Sequence, residues 1–254
     1  MTEVPRLIDS IRTAVRGSSL ADQLKIERWQ RFRSGETTAE WIALLGLTAI
    51  VLTHQEYFTD YIAQWVQELD TEEQLLLLEA SSIHDLGEIS IGDVPEPQKN
   101  GEDEKSEASA TIKLIDQLED LDVDQRTELK RAYEQVVVGE NVALHLIFKA
   151  FERLEYLDTA VHVFMALNSG LRMDKGEYMI ARVLAFDLPK IMNTVKQFPN
   201  SIGMYLHHYQ KIIQSMFDFC QSSVDDDFQE RFENSQTQWQ TYCRSIDSTE
   251  ETVF

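Results

Sequence analysis

Hydrophobic residues recur every three or four positions along almost the whole chain, which is the spacing of an amphipathic α-helix. The pattern begins at residues 4–16, where Gly17 ends the first helix. Further helices are predicted at about residues 24–32, 35–54, 57–69, 71–84, 104–119, 123–137, 141–168, 176–197, 200–222 and 225–245. We expect the tail, residues 247–254, to be frayed.

One segment interrupts the helical pattern. Residues 85–101 hold three of the ten glycines and two of the five prolines. Because these residues break helices and the chain otherwise avoids them, the pattern predicts a functional loop here. Two other signals mark helix boundaries. Asp70 predicts an N-terminal cap for the helix at 71–84, and Pro189 predicts a kink or a break in the helix at 176–197.

The amino-acid composition agrees with long helices. Glycine and proline together make up 15 of 254 residues, about half of the roughly 12% in average proteins. Hydrophobic residues make up 43% of the chain, which is enough for a sizeable core. We therefore predict an all-α fold, with a helical bundle followed by a C-terminal helical extension.

The charge of the chain restricts its partners. With 23 Lys and Arg against 44 Asp and Glu, the formal net charge is −21. A polyanion would be repelled over most of such a surface, so non-specific nucleic-acid binding is excluded. A small phosphorylated ligand needs only a local group of hydrogen-bond donors and stays possible.

Cysteine content and hydropathy point to a soluble protein of a reduced compartment. Cys220 and Cys243 lie far apart and fit neither a metal pair nor a disulfide framework. The longest apolar run, Trp41 to Thr53, has 13 residues, whereas about 20 are needed to span a bilayer. No signal peptide is visible at the N-terminus. We expect a cytoplasmic protein without a membrane partner.

The most informative motif lies where the helical pattern breaks. It combines the pair His84-Asp85 with Glu88 three residues on and with Gly92-Asp93 after that. An adjacent imidazole and carboxylate at a helix end can bind one divalent cation. Glu88 can hold a water or accept a proton, and Asp93 can approach the same place from the loop.

This motif resembles the HD-domain phosphohydrolases, and among them the 5′-deoxynucleotidase branch. Arg28-Trp29 looks like the arginine-tryptophan pair that this branch has near its substrate. Lys105-Ser-Glu107-Ala resembles the acidic start of its next helix, and the segment from Lys149 to Leu157 resembles its Lys-x-x-Asp-x-Leu segment. The resemblance covers about residues 20–168. It implies an HD domain at 20–170, preceded by a helix at 1–19 and followed by an extension at 171–254.

The resemblance also implies an activity and a cofactor. A divalent metal ion (Mn, Co, Zn or Mg) would be held by His84, Asp85 and Glu152, and the substrate would be a nucleoside monophosphate or a similar phosphomonoester. Glu88 would orient or deprotonate a water, and Asp93 would give a proton to the leaving oxygen. Arg28 and Trp29 would bind the substrate. Relatives of this branch pair, so we expect a homodimer.

Two ligand positions depart from the family pattern. Where the first histidine of the family is expected, this chain has Trp41, which cannot bind a metal in this way. The distant aspartate is replaced by Glu152. His54 and His145 are poor substitutes, since His54 lies about 20 Å along the helix from Trp41 and His145 about two helical turns from Glu152.

An alternative interpretation therefore stays open. The chain would be a catalytically inactive HD-fold protein that binds a ligand or another protein. His84 and Asp85 would then be an inherited helix end, and Trp41 would fill the core. Glu88 and Asp93 would hold the loop in place by contacting Arg28 or Arg153. Arg28 would form a surface ion pair instead of a contact with phosphate.

Overall fold

The computed structural model describes residues 69–92, 100–118, 121–170, 172–222 and 224–250. Within these ranges every regular element is a helix, which confirms the predicted all-α fold. The elements are α1 (Thr71–Ile83), α2 (Glu88–Ile91), α3 (Gly101–Asp116), α4 (Val123–Ala132), a first π-helix (Tyr133–Val138), α5 (Val142–Asn168), α6 (Gly176–Phe186), α7 (Leu188–Thr194), a second π-helix (Pro199–Gly203), α8 (Met204–His208), α9 (Gln210–Cys220) and α10 (Gln229–Glu250).

The described residues fall into two compact units. Up to Lys149 they belong to the first unit, and from Ala150 onward they belong to the second. The boundary lies inside α5, which is continuous from Val142 to Asn168. The domains predicted from the sequence, 20–170 and 171–254, divide the chain elsewhere and stay predictions.

Side-chain caps set the beginning of three helices in the first unit. The predicted cap Asp70 is confirmed, because its carboxylate accepts a hydrogen bond from the Glu73 amide at 2.9 Å. Asn100 and Asp122 cap α3 and α4 in the same way. Such caps satisfy amide groups that have no partner inside the helix, and each contributes about 1 kcal/mol. The Asn100 cap explains why α3 begins at residue 101, three residues before the predicted start.

The helix predicted at 123–137 is not a single α-helix. It changes after Ala132 into the first π-helix, Tyr133–Val138. This π-helix ends at Gly139, whose φ of 94° is a conformation that side chains with a Cβ rarely adopt. A Cβ at this position would also lie only 3.3 Å from the His145 ring. The glycine thus turns the chain into α5.

A hydrophobic core holds the first unit together. Its central residues come from the end of α1, from α3 and its following turn, and from α4 with the first π-helix: Ile83, Leu86, Ile115, Leu118, Leu121, Leu129 and Tyr133. Ile83, Ile115 and Leu129 have no exposed surface. Burying a side chain of this size is worth about 1.5–3 kcal/mol, so this core fixes α1 against α3 and α4.

The second unit contains the C-terminal helices. The predicted break at Pro189 is confirmed, since α6 ends at Phe186 and α7 begins at Leu188. Ser235 on α10 donates a hydrogen bond of 2.6 Å to the Leu184 carbonyl of α6. The helix predicted at 200–222 is divided at Tyr209, where ψ is 10°. The backbone of α10 stays helical to Glu250, so the tail is not frayed from residue 247 as expected.

Candidate metal centre

The turn that follows α1 presents the predicted His-Asp pair. α1 ends at Ile83, one residue before the predicted end, and His84 is its C-terminal cap residue. The Leu86 amide donates to the Ile83 carbonyl at 3.0 Å, and the Glu88 amide donates to the Asp85 carbonyl at 3.1 Å. These bonds form a tight turn, so α2 begins at Glu88 directly after it. The interruption predicted at residues 85–101 is confirmed at its start, in the turn at 84–87, but the short helix α2 lies within the predicted loop, and residues 93–99 lie outside the described residues.

Gly87 allows this turn to approach α3 closely. Its φ of −63° suits any residue, so conformational freedom is not the reason for a glycine here. A Cβ at this position would collide with the Glu107 carbonyl oxygen and would lie 2.6 Å from the Thr111 hydroxyl. The absence of a side chain therefore brings residues 85–88 against the buried face of α3.

Three carboxylates meet where the turn and α3 come together. Asp85, Glu88 and Glu107 each offer an oxygen, and these atoms lie within 4.8 Å of one another. We call these three residues the acidic cluster. They are only 9%, 7% and 7% exposed, respectively. Carboxylates are rarely so buried unless a positive charge or a proton accompanies them.

The dimensions of the acidic cluster suit a divalent cation. Two oxygens on opposite sides of Mg²⁺ lie about 4.0–4.2 Å apart, and on opposite sides of Ca²⁺ about 4.6–5.2 Å, since the bonds are about 2.0–2.1 and 2.3–2.6 Å long. The separations within the cluster do not exceed 4.8 Å. Carboxylate oxygens are hard ligands that such cations prefer. The cluster can therefore hold a metal ion.

His84 lies beside the cluster in an orientation that suits metal ligation. It is 4% exposed, and its Nδ1 lies 2.7 Å from the Ser81 carbonyl oxygen. Because a carbonyl only accepts hydrogen bonds, Nδ1 is the protonated nitrogen. Its Nε2 lies 3.2 Å from Asp85 Oδ1. Two ligand atoms on adjacent corners of an octahedral cation are about 3.0 Å apart when each bond is about 2.1 Å. The imidazole ring also packs against the Phe148 ring in a T-shaped arrangement, with 5.6 Å between the ring centroids.

A buried tyrosine from the first π-helix borders the acidic cluster. Tyr133 is 2% exposed, and its side chain lies near Thr111 of α3. The pKa of Tyr133 is raised to about 12, chiefly by burial; Thr111 lowers it, and the negative charges of the cluster add to the rise. The phenol therefore stays neutral at physiological pH. π-helical turns are frequent at functional sites, and this one places a hydroxyl next to three carboxylates.

The predicted site residues have different outcomes. His84, Asp85 and Glu88 lie together in the turn of the first unit. Glu152 is half-buried on α5 in the second unit and is not one of the three clustered carboxylates. The predicted positions Arg28, Trp29, Trp41, His54 and Asp93 lie outside the described residues, so their roles stay predictions. His145 of the first unit is engaged elsewhere, since its Nδ1 lies 2.9 Å from the Val136 carbonyl oxygen.

Sequence reasoning assigned no ligand role to Glu107. A signal was present, because Glu107 shares a helix face with Thr111 and Ile115 at intervals of four residues. All three are buried. A glutamate on the buried face of an amphipathic helix is unusual, and its position there indicates a partner inside the protein.

The described residues contain no helix long and apolar enough to cross a membrane. Comparisons with protein-family models, with curated proteins and with solved structures found no match to this chain.

Proposed function

We propose that this chain is a metal-dependent phosphohydrolase of the HD type, which binds a divalent cation at the acidic cluster and hydrolyses nucleoside monophosphates or similar small phosphomonoesters. The observation that carries the proposal is the meeting of three buried carboxylates, at most 4.8 Å apart, beside the imidazole of His84. The motif that resembles the HD family supplies four of the residues concerned: His84, Asp85, Glu88 and Asp93.

Electrostatics favours a cation at this place. Like charges a few ångströms apart repel each other strongly where water is excluded. A divalent cation offsets two negative charges at once and takes the oxygens as ligands. A bound divalent cation would therefore help to offset the charge of the buried cluster.

We assign the roles as follows. Asp85, Glu88 and Glu107 would hold the cation, with Glu107 supplying the ligand that the missing first histidine of the family pattern leaves vacant. His84 would complete the set through Nε2, while its Nδ1 stays bonded to the Ser81 carbonyl. A bound divalent cation would polarise the phosphoryl oxygens and lower the pKa of a bound water. Asp93, Arg28 and Trp29 keep the roles that the resemblance implies, as proton donor and substrate contacts.

The oxygen-rich ligand set also bears on which metal binds. Three carboxylates and one imidazole are ligands that favour Mn²⁺ or Mg²⁺. Zn²⁺ is more often bound by nitrogen and sulfur ligands. We therefore propose Mn²⁺ or Mg²⁺ as the cofactor, with Co²⁺ and Zn²⁺ as weaker alternatives.

A second candidate function is an inactive HD-fold binding protein. The contacts of His84 favour it, because a doubly protonated ring could donate to Ser81 through Nδ1 and to Asp85 through Nε2 without any metal. The two functions differ in one measurable property. Metal binding requires an unprotonated Nε2, whereas the ion pair requires a proton on it.

The test compares Glu107→Gln with Glu104→Gln. Both remove one negative charge from α3, but Glu107 is buried in the cluster and Glu104 is exposed. Melting is followed with Mn²⁺ or Mg²⁺ and with a chelator, together with phosphate release from a panel of nucleoside monophosphates. At 100 times its Kd a ligand stabilises by about 2.7 kcal/mol, which is roughly 5–10 °C for a chain of this size.

The proposal predicts that Glu104→Gln keeps both the metal-dependent shift and the release of phosphate, and that Glu107→Gln loses both. A wild-type protein that melts identically with metal and with chelator and releases no phosphate refutes it and supports the inactive binding protein. Metal binding that survives Glu107→Gln would show that the ligands lie elsewhere.

A further inference from the structure

A second site is suggested by a cavity on the outer side of α2 and α3. It has a volume of about 530 Å³, within the range of small-molecule sites, which is about 300–1,000 Å³. Ser90 and Ile91 of α2 line one side, and seven residues from α3 and its C-terminal cap line the other: Lys105, Ser106, Ser109, Ala110, Lys113, Leu114 and Gln117. The described residues that line it include no carboxylate, although the chain carries a net charge of −21.

Both basic residues of α3 line the cavity, whereas none of its five acidic residues does. The basic residues are Lys105 and Lys113. With Ser109 between them and Gln117 after them, they form a row at intervals of four residues. Such a row lies along one side of a helix. Glu107 is on a different face, turned toward the acidic cluster in the interior.

This row offers donors to a single anion. The Cα atoms of Lys105 and Lys113 are about 12 Å apart along the helix axis, and their flexible four-carbon stems can bring both ammonium groups over Ser109. The hydroxyls of Ser90 and Ser109 lie on opposite sides of the same cavity. Ammonium groups and hydroxyls together supply more donors than one carboxylate can accept, whereas a phosphate group has three strong acceptor oxygens.

Apolar residues at the rim indicate the rest of the ligand. Ile91 is 40% exposed, and it lines the cavity together with Ala110 and Leu114. A phosphate ion alone would fill only a small part of the volume. A phosphate ester with an apolar or planar body would occupy both the donor row and this wall.

We propose that this cavity binds a small phosphate ester, with Lys105 and Lys113 holding the phosphate and Ile91 and Leu114 contacting the organic group. The site is separate from the acidic cluster, and the proposal does not depend on metal binding or on hydrolysis. It would give the protein a ligand even where the metal-dependent activity is absent.

The test uses phenyl phosphate as the probe, titrated into the full chain by calorimetry with EDTA present. EDTA removes divalent cations, so the outcome is independent of the proposed metal centre. The variant is Lys105→Gln with Lys113→Gln. The matched control is Lys190→Gln with Lys211→Gln, which makes the same change in net charge at two exposed lysines of the second unit.

We expect the wild type and the control to bind phenyl phosphate within about twofold of each other, and the cavity variant to bind at least about tenfold more weakly, because two charge-assisted contacts are lost. Phenol should not bind measurably, and inorganic phosphate should bind more weakly than phenyl phosphate. Absence of phenyl phosphate binding overturns the proposal, and so does equal weakening in both double variants. Phenol binding as tight as that of phenyl phosphate would also overturn it.

Discussion

The close approach of Gly87 to α3 leads to a quantitative prediction for Gly87→Ala. The backbone at residue 87 is right-handed helical, so alanine itself is not strained there. Its Cβ would nevertheless meet the Glu107 carbonyl oxygen, the Thr111 hydroxyl at 2.6 Å and Glu107 Cγ at 3.0 Å. Backbone atoms cannot move away without a shift of the helix. The substitution should therefore displace α3 from the turn.

Two opposing terms set the magnitude. Overpacking of this kind destabilises the folded state by about 1–3 kcal/mol. Alanine also lowers the conformational entropy of the unfolded chain, which offsets about 0.4–1 kcal/mol of this loss. The net destabilisation is about 1–2 kcal/mol, which corresponds to a fall in melting temperature of roughly 2–8 °C. Displacing Glu107 should also weaken binding of Mn²⁺ by at least about tenfold, since ligand oxygens must meet within narrow distances.

Gly101→Ala is the matched control. Nothing lies within 4 Å of a Cβ at that position, so alanine should leave the protein as stable or slightly more stable. Melting by circular dichroism and Mn²⁺ titration of both variants check the argument. If Gly87→Ala melts at or above the wild-type temperature, the turn and α3 are not as close as described, and the geometry of the acidic cluster is wrong.

Three further predictions concern other parts of the molecule. The pKa of Glu79 is raised to about 7, mainly by burial and further by the negative charge of Glu128, while Arg131 lowers it. The folded state therefore holds the proton more tightly than the unfolded state does. The free energy of unfolding, measured by urea titration at each pH, should then fall as pH rises from 4.5 to 7, and Glu79→Gln should reduce this fall. The same pH dependence in the variant and the wild type would contradict the argument. Tyr205 donates a 2.8 Å bond to buried Asp158, so Tyr205→Phe should cost about 1.5–3 kcal/mol by urea unfolding, whereas a loss below about 0.5 kcal/mol would refute the bond. Burial raises the pKa of the Cys220 thiol to about 12, so Ellman's reagent should label half-buried Cys243 first and Cys220 only after unfolding; early labelling of Cys220 would disprove this.

Local signals in the sequence were sufficient for much of the fold. Each of three boundaries is determined by residues within a few positions of it: the cap at Asp70, the break before Pro189 and the interruption after residue 83. The positions of these boundaries follow from hydrogen bonds and sterics of neighbouring residues, which a sequence displays directly. The π-helix at Tyr133–Val138 was not foreseen, because its pattern of apolar residues differs little from that of an α-helix.

Only part of the candidate site could be predicted from the sequence. His84, Asp85 and Glu88 are close in sequence, so their meeting in one turn could be predicted. Glu107 comes from α3, and its distance from the turn depends on a contact between Gly87 and the α3 backbone. No property of Glu107 alone carries that information.

Periodicity, caps and breakers act locally, so the helical character of the chain, the ends of several helices and the closeness of His84, Asp85 and Glu88 could be predicted from the sequence alone. Which carboxylates meet, and which face of α3 is buried against the turn, follow only from the packing of the folded chain. Those outcomes depend on packing between segments about twenty residues apart, where burial of apolar side chains such as Ile83 and Ile115 sets the distance between helices.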